Sequence, residues 1–225
     1  MYIIKGFLQF ISKCLLFLIG WNFLLPDDFK RLNKHDKTVA IFSHTSYADF
    51  CILVLYLLAY SDDLQYVRVL VKPQPFAYIG WGLRQLGAIP ATKIEEKNGG
   101  ATENIINELK NQEKFVFLIS PKGTIIKRQW RSGYYNIAKH FQAHFMVVGL
   151  DYEKKSPIIS STIEFSDNEE LVKNFLYEQL AKIVPLFPEC EMVEIRKHNM
   201  RKRGIIEWDM FCGFIVIIFL FIVLV

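Results

Sequence analysis

Along most of the chain, apolar residues come in short blocks separated by polar ones, and both ends are apolar over longer runs. The short blocks lie at residues 39–43, 66–71, 115–120, 145–150 and 158–165 and are rich in Val, Ile, Leu and Phe. Runs of this length between polar turns predict strands, and residues 192–195 are a weaker candidate. Residues 47–60, 75–86, 102–111, 134–141 and 168–184 are long enough for helices. Strand and helix alternate, which predicts an α/β fold: a single domain with a largely parallel mixed sheet flanked by helices.

The ends add something the middle lacks. Residues 210–225 carry no charge and follow a basic cluster of Arg196, Lys197, Arg201, Lys202 and Arg203. The run is slightly short against the ~20 residues that cross a bilayer core. Local thinning or snorkelling of the flanks accommodates such a segment. Residues 201–225 are therefore expected to be a basic flank and C-terminal transmembrane helix, with the positive side cytosolic. Residues 1–26 are also apolar, but Lys5, Gln9, Ser12 and Lys13 fall on one narrow helical stripe. That pattern predicts a hydrophobic helix lying in or on a membrane surface, ended by Pro26, Asp27 and Asp28. Residues 27–200 then form one α/β domain, held at a membrane and facing the cytosol, which favours a membrane-borne substrate.

Composition narrows the function classes. The chain has 225 residues, of which 52% are hydrophobic, and the excess sits at the ends. A net charge of +4 is too small to imply nucleic acid. Cys14, Cys51, Cys190 and Cys212 are far apart with no C-x-x-C, so neither a disulfide framework nor a zinc site is expected. His140 and His144 are four apart but have no third ligand in sequence reach, and no metal is expected.

Candidate chemistry sits where strands end. His44 and Asp49 follow the first strand and open the next helix. A histidine takes a proton near neutral pH and a carboxylate can hold its ring, which suits a general base acting on an alcohol. A capping box, with Ser46 as N-cap and Asp49 reaching back, accounts for part of the same stretch. A second turn, Ser120, Pro121, Lys122, Gly123 and Thr124, follows the 115–119 run, with Lys127, Arg128 and Arg131 close behind. Glycine permits close backbone approach and the cations suit an anionic group. Gly80, Gly82 and Gly87 do not have dinucleotide-fingerprint spacing, because Gln85 stands at the third glycine position. They read as a helix closed by Gly87 and followed by an extended segment carrying Lys93.

In order and spacing, these pieces resemble the glycerolipid acyltransferase family. That family has N-H-x4-D, then a Lys-containing stretch with G-W and G-x-I-x-x-x-R, then F-P-E-G-T-R and a downstream W-K-S-G-F-Y-x-I-A. This chain has Ser43, His44 and Asp49; Lys72, Pro75, Gly80, Trp81, Gly87, Ile89 and Lys93; Ser120 to Thr124; and Trp130, Ser132, Gly133, Tyr134, Tyr135, Ile137 and Ala138. Asp151 and Tyr152 also look familiar. The resemblance spans about residues 38–152. It implies acyl transfer from a thioester, acyl-CoA or acyl carrier protein as co-substrate, to a lysophosphatidic-acid-like acceptor, with no other cofactor. His44 would be the base and Asp49 its partner. Lys93, Ser120, Pro121, Lys122, Gly123, Thr124, Lys127 and Arg128 would bind substrate. Amides at the start of the 47–60 helix are expected to meet the developing oxyanion. Four departures stand out. The first-block Asn is Ser43, the second-block Arg is Lys93, the third-block Glu is Lys122, and the third-block Arg is Ile125. They leave a catalytically silent lipid-binding homologue as the alternative.

Overall fold

The structure is a computed structural model that describes residues 2–91, 100–123, 129–187 and 190. In chain order the elements are α1 (Tyr2–Leu18), α2 (Pro26–Leu32), β1 (Lys37–Phe42), α3 (Tyr47–Ala59), β2 (Val67–Val71), α4 (Phe76–Gln85) and β3 (Ala88–Pro90). They continue with α5 (Ala101–Leu109), β4 (Phe115–Ile119), α6 (Gly133–Phe141), β5 (His144–Asp151), β6 (Ser156–Ile159) and α7 (Glu169–Leu180).

One six-stranded sheet runs β3-β2-β4-β1-β5-β6. All neighbours are parallel except β6, which pairs antiparallel with β5. The expected α/β architecture is therefore present. Each parallel strand alternates its side chains between two cores. Ala40, Phe42, Val69 and Leu118 meet α1, α3 and α4 on one face. Val39, Ile41, Phe117 and Phe145 meet α5, α6 and α7 on the other. Each fully buried side chain of this size contributes roughly 1.5–3 kcal/mol. That explains why β4, buried at all five positions, occupies the interior of the sheet.

Strand order places the site. From β1 the chain crosses to β2; from the adjacent β4 it crosses past β1 to β5. Two neighbouring parallel strands thus send their connections in opposite directions. The crevice beyond their carboxyl ends is where open α/β sheets bind ligands. His44 follows β1, and Ser120 follows β4.

Three local features depart from the sequence expectations. Residues 26–32 form a helix rather than only ending one, because Pro26 suits a first helical position and the Asp28 carboxylate accepts the Leu25 amide at 2.8 Å. The 158–165 run divides into β6 and a single bridge between Ile163 and Phe145. The extended segment after Gly87 is a true edge strand, β3. Gly87 sits at φ +76°, and a Cβ there would lie 2.3 Å from the Val67 carbonyl oxygen, so only glycine fits.

The polar stripe of α1 faces the protein. Lys5 pairs with Asp62, and Gln9 donates to Ser61 Oγ at 3.1 Å and to Asp62 at 2.9 Å. The Lys13 ammonium stands 4.9 Å above the Tyr60 ring, and Ser12 is buried. Phe7, Phe10, Phe17 and Leu18 are left exposed. Leu16 is buried and Leu15 packs beside it, so α1 carries apolar side chains on its outer face as well as its inner one. Among the described residues no helix is long and apolar enough to cross a membrane. The expected strand at 192–195, the basic cluster and the C-terminal anchor lie outside the described residues.

Candidate active site

The corner between β1 and α3 is built by side chains folding back on their own backbone. Ser46 caps α3 and its Oγ accepts from the Ala48 amide at 3.0 Å. Asp49 completes the capping box: its Oδ2 accepts the amides of Thr45 and Ser46, each at 2.8 Å. Its Oδ1 accepts the Tyr152 phenol at 2.7 Å. The same Oδ2 stands 3.4 Å from Nδ1 of His44. Asp49 is 2% exposed, and a buried carboxylate needs such partners. Three donors fix its plane, and that plane meets the imidazole. The capping box therefore does not exclude a His44 pairing at the same carboxylate.

A carboxylate beside Nδ1 selects the tautomer protonated there and leaves Nε2 as the basic nitrogen. His44 is partly open and lines a cavity of about 520 Å³, within the usual size for a small-molecule site. The walls are chiefly apolar: Phe42, Phe50, Cys51, Leu53, Val69 and Leu118. Lys72, Ser120 and Gly123 also line it. Burial, and secondarily Asp49, pushes the Cys51 thiol up to about 11. It stays protonated at neutral pH and cannot compete as a nucleophile. The Ser120 hydroxyl is buried without a hydrogen-bond partner among the described residues.

The amides expected to meet an oxyanion are those at the start of α3, and of these the Ala48 amide is already engaged by the Ser46 hydroxyl. The Thr45 and Ser46 amides, just before the helix, are engaged by Asp49. A cap that satisfies the helix terminus internally removes those donors from substrate.

The second turn also differs from expectation. Gly123 donates its amide to the Ser120 carbonyl at 3.0 Å, with Pro121 second in the turn and Gly123 at φ +67°. Pro121 is buried and its carbonyl accepts the Arg131 amide at 3.1 Å. Ser120 and Gly123 reach the cavity. Lys122 does not line it: the side chain is 2% exposed, and its ammonium donates to the Cys190 carbonyl at 2.9 Å. Lys93, Thr124, Ile125, Lys127 and Arg128 lie outside the described residues.

Two contributors went unassigned in the sequence. Lys72 follows β2 and figured only as a landmark. Tyr152 lies over a hundred residues from Asp49 in sequence, and only the β1–β5 pairing brings them together. Tyr152 is itself held, by Trp21 edge-on at 5.1 Å and by its backbone amide, which donates to the Val184 carbonyl at 2.9 Å. Asp151 supports that turn, accepting the amides of Glu153 at 3.0 Å and Lys154 at 2.9 Å. At the amino ends of β1 and β5, away from this site, His144 stacks on His35, with centroids 3.6 Å apart, rather than joining a metal cluster. Among the described residues no group of three or more His, Cys, Asp and Glu could hold a metal.

Comparison with the curated proteins finds no match. A family model described as Acyltransferase matches residues 28–164. That interval holds every described site residue and the five parallel strands that position them. It also covers more than half of the chain, which therefore belongs to the acyltransferase family, that of the glycerolipid acyltransferases.

Proposed function

We propose that this protein moves a fatty acyl group from a thioester, acyl-CoA or acyl carrier protein, to a hydroxyl of a lysophospholipid or glycerolipid, with a lysophosphatidic-acid-like acceptor the first choice. General acyl transfer to lipid follows from the family. The observation that carries the finer reading is a carboxylate-held histidine opening onto an apolar cavity beside a lysine.

In this mechanism Nε2 of His44 takes the acceptor's hydroxyl proton as the oxygen attacks the thioester carbonyl. The tetrahedral intermediate collapses to an ester and expels the thiolate, which recovers the proton from the imidazolium. Asp49 stabilises that imidazolium, and Tyr152 holds Asp49. A positioned base of this kind contributes about 10²–10⁴-fold. The apolar walls suit an acyl chain, and Lys72 suits a phosphate. Lys93, Lys127 and Arg128 are proposed to add charge for the acceptor, with Ser120 and Gly123 at the turn. The outward apolar face of α1, and the C-terminal segment, are proposed to hold the domain on a membrane, facing the cytosol.

The test is transfer of radiolabelled oleate from oleoyl-CoA to a panel of lysolipids. Product on at least one acceptor, with preference for anionic headgroups, is expected. The silent lipid-binding reading draws on Lys122, whose charge is reversed and whose ammonium is used internally. Tight lysolipid binding with no turnover on any acceptor would establish it instead.

A further inference from the structure

Helix α4 has an outer face that an ordinary water-exposed helix would not carry. It packs inward through Gly82 and Leu83, both buried. Tyr78 and Trp81 point outward, 80% and 73% exposed. Large aromatic side chains bury far more surface than this in most folds. Tyr78 also lines the His44 cavity, as does Tyr47, which is 76% exposed. The exposed aromatics are therefore continuous with the cavity mouth.

Charge decides what covers them. From Val71 to Ala91 the sequence contains Lys72 and Arg84 and no carboxylate. Both cations are exposed: Lys72 lines the cavity, and the Arg84 guanidinium lies 5.7 Å from the Phe76 ring centroid on the same helix. Amphipathic rings at a boundary between water and hydrocarbon, with cations beside them, match an anionic lipid surface. We propose that α4 is a second membrane-docking element, independent of α1, which seats the cavity mouth on an anionic bilayer. Tyr78 and Trp81 enter the headgroup layer there. An amphiphilic acceptor then reaches His44 without crossing water. The lipid nature of the substrate rests on the proposed function; the docking contact does not.

The test uses Trp81 as its own probe. The full-length chain carrying Trp21→Phe, Trp130→Phe and Trp208→Phe keeps Trp81 as its only tryptophan. It is reconstituted in phosphatidylcholine vesicles with and without phosphatidylglycerol, with lipids brominated on the acyl chain. The expected result is a blue-shifted Trp81 emission, quenched about twofold, and more strongly in the anionic vesicles. A matched protein with Trp81→Phe and Phe10→Trp reports α1. Quenching at position 10 with unchanged emission from Trp81 would overturn the proposal, leaving α1 as the contact. A second arm compares Trp81→Ser with wild type. About a tenfold loss on vesicle-embedded acceptor, with no loss on a short-chain acceptor dissolved as monomer, is expected. Equal losses on both would count against docking. If no acceptor is turned over at all, the acyltransfer reading fails while the quenching arm still decides the docking.

Discussion

The corner after β1 and the turn after β4 begin alike. Each follows a parallel strand at the centre of the sheet, and each carries polar residues that stood out in sequence. At the first corner the polar groups converge: Thr45, Ser46 and Tyr152 all donate to Asp49, which faces His44. At the second they diverge: Ser120 and Gly123 reach the cavity, while the Lys122 ammonium is spent on the Cys190 carbonyl. The difference lies in reach. Asp49 is short and sits on the first turn of a helix, so its direction is set by the backbone. Lys122 is long, and in a buried setting its ammonium goes to whatever acceptor its surroundings offer.

Substitutions can break or sharpen this contrast. Asp49→Ala has the largest expected effect here. It leaves buried donors unpaired, at about 1–3 kcal/mol of stability, and frees the imidazole, so kcat falls at least a hundredfold. Thermal melting and initial rates measure both, and a variant melting normally at full rate would remove Asp49 from the account. Tyr152→Phe deletes one hydrogen bond to the carboxylate, worth roughly 1.5–3 kcal/mol. We expect about a tenfold loss of kcat with KM for the acceptor unchanged; a rise in KM alone would make Tyr152 a binding residue. Lys122→Met removes the hydrogen bond to the Cys190 carbonyl and costs about 1–3 kcal/mol. Its melting temperature should drop with little change in acceptor KM. The opposite pattern would return Lys122 to substrate.

The smallest effect concerns a histidine outside the contrast. Burial, and then His144, holds the His35 imidazole below the ordinary histidine range. The unfolded chain therefore binds the proton more readily. The stability from neutral His35 is complete above about pH 6.5 and is lost as pH falls through that value toward the folded one. His35→Gln should make melting less sensitive to a drop from about pH 7.5 to about pH 5.5. An unchanged pH dependence would contradict this.

Much of the fold was legible because period and length carry it. The runs at 39–43 and 115–120 read as strands from their length and composition, and their alternation with helices implied a parallel sheet. The helix at 26–32 was missed because its signals, a proline and two acids, also mark a helix end. His44 and Asp49 were legible as a pair because both lie in one local turn. Tyr152 was not, since its contact depends on β5 pairing beside β1, a fact of strand order that spacing does not encode. The direction of Lys122 and the inward stripe of α1 were hidden for the same reason. Residue type fixes what a group can do, whereas packing decides where it points.

The most direct measurement of the central claim is the initial rate of acyl transfer by His44→Ala against wild type, at equal concentrations of folded protein and with lysolipid binding measured on both. His44 is partly open and the capping bonds of Ser46 and Asp49 run to backbone amides rather than through its ring, so the variant should fold and bind. The account predicts a rate lower by about 10²–10⁴-fold with binding retained. Equal rates from the two proteins would contradict it.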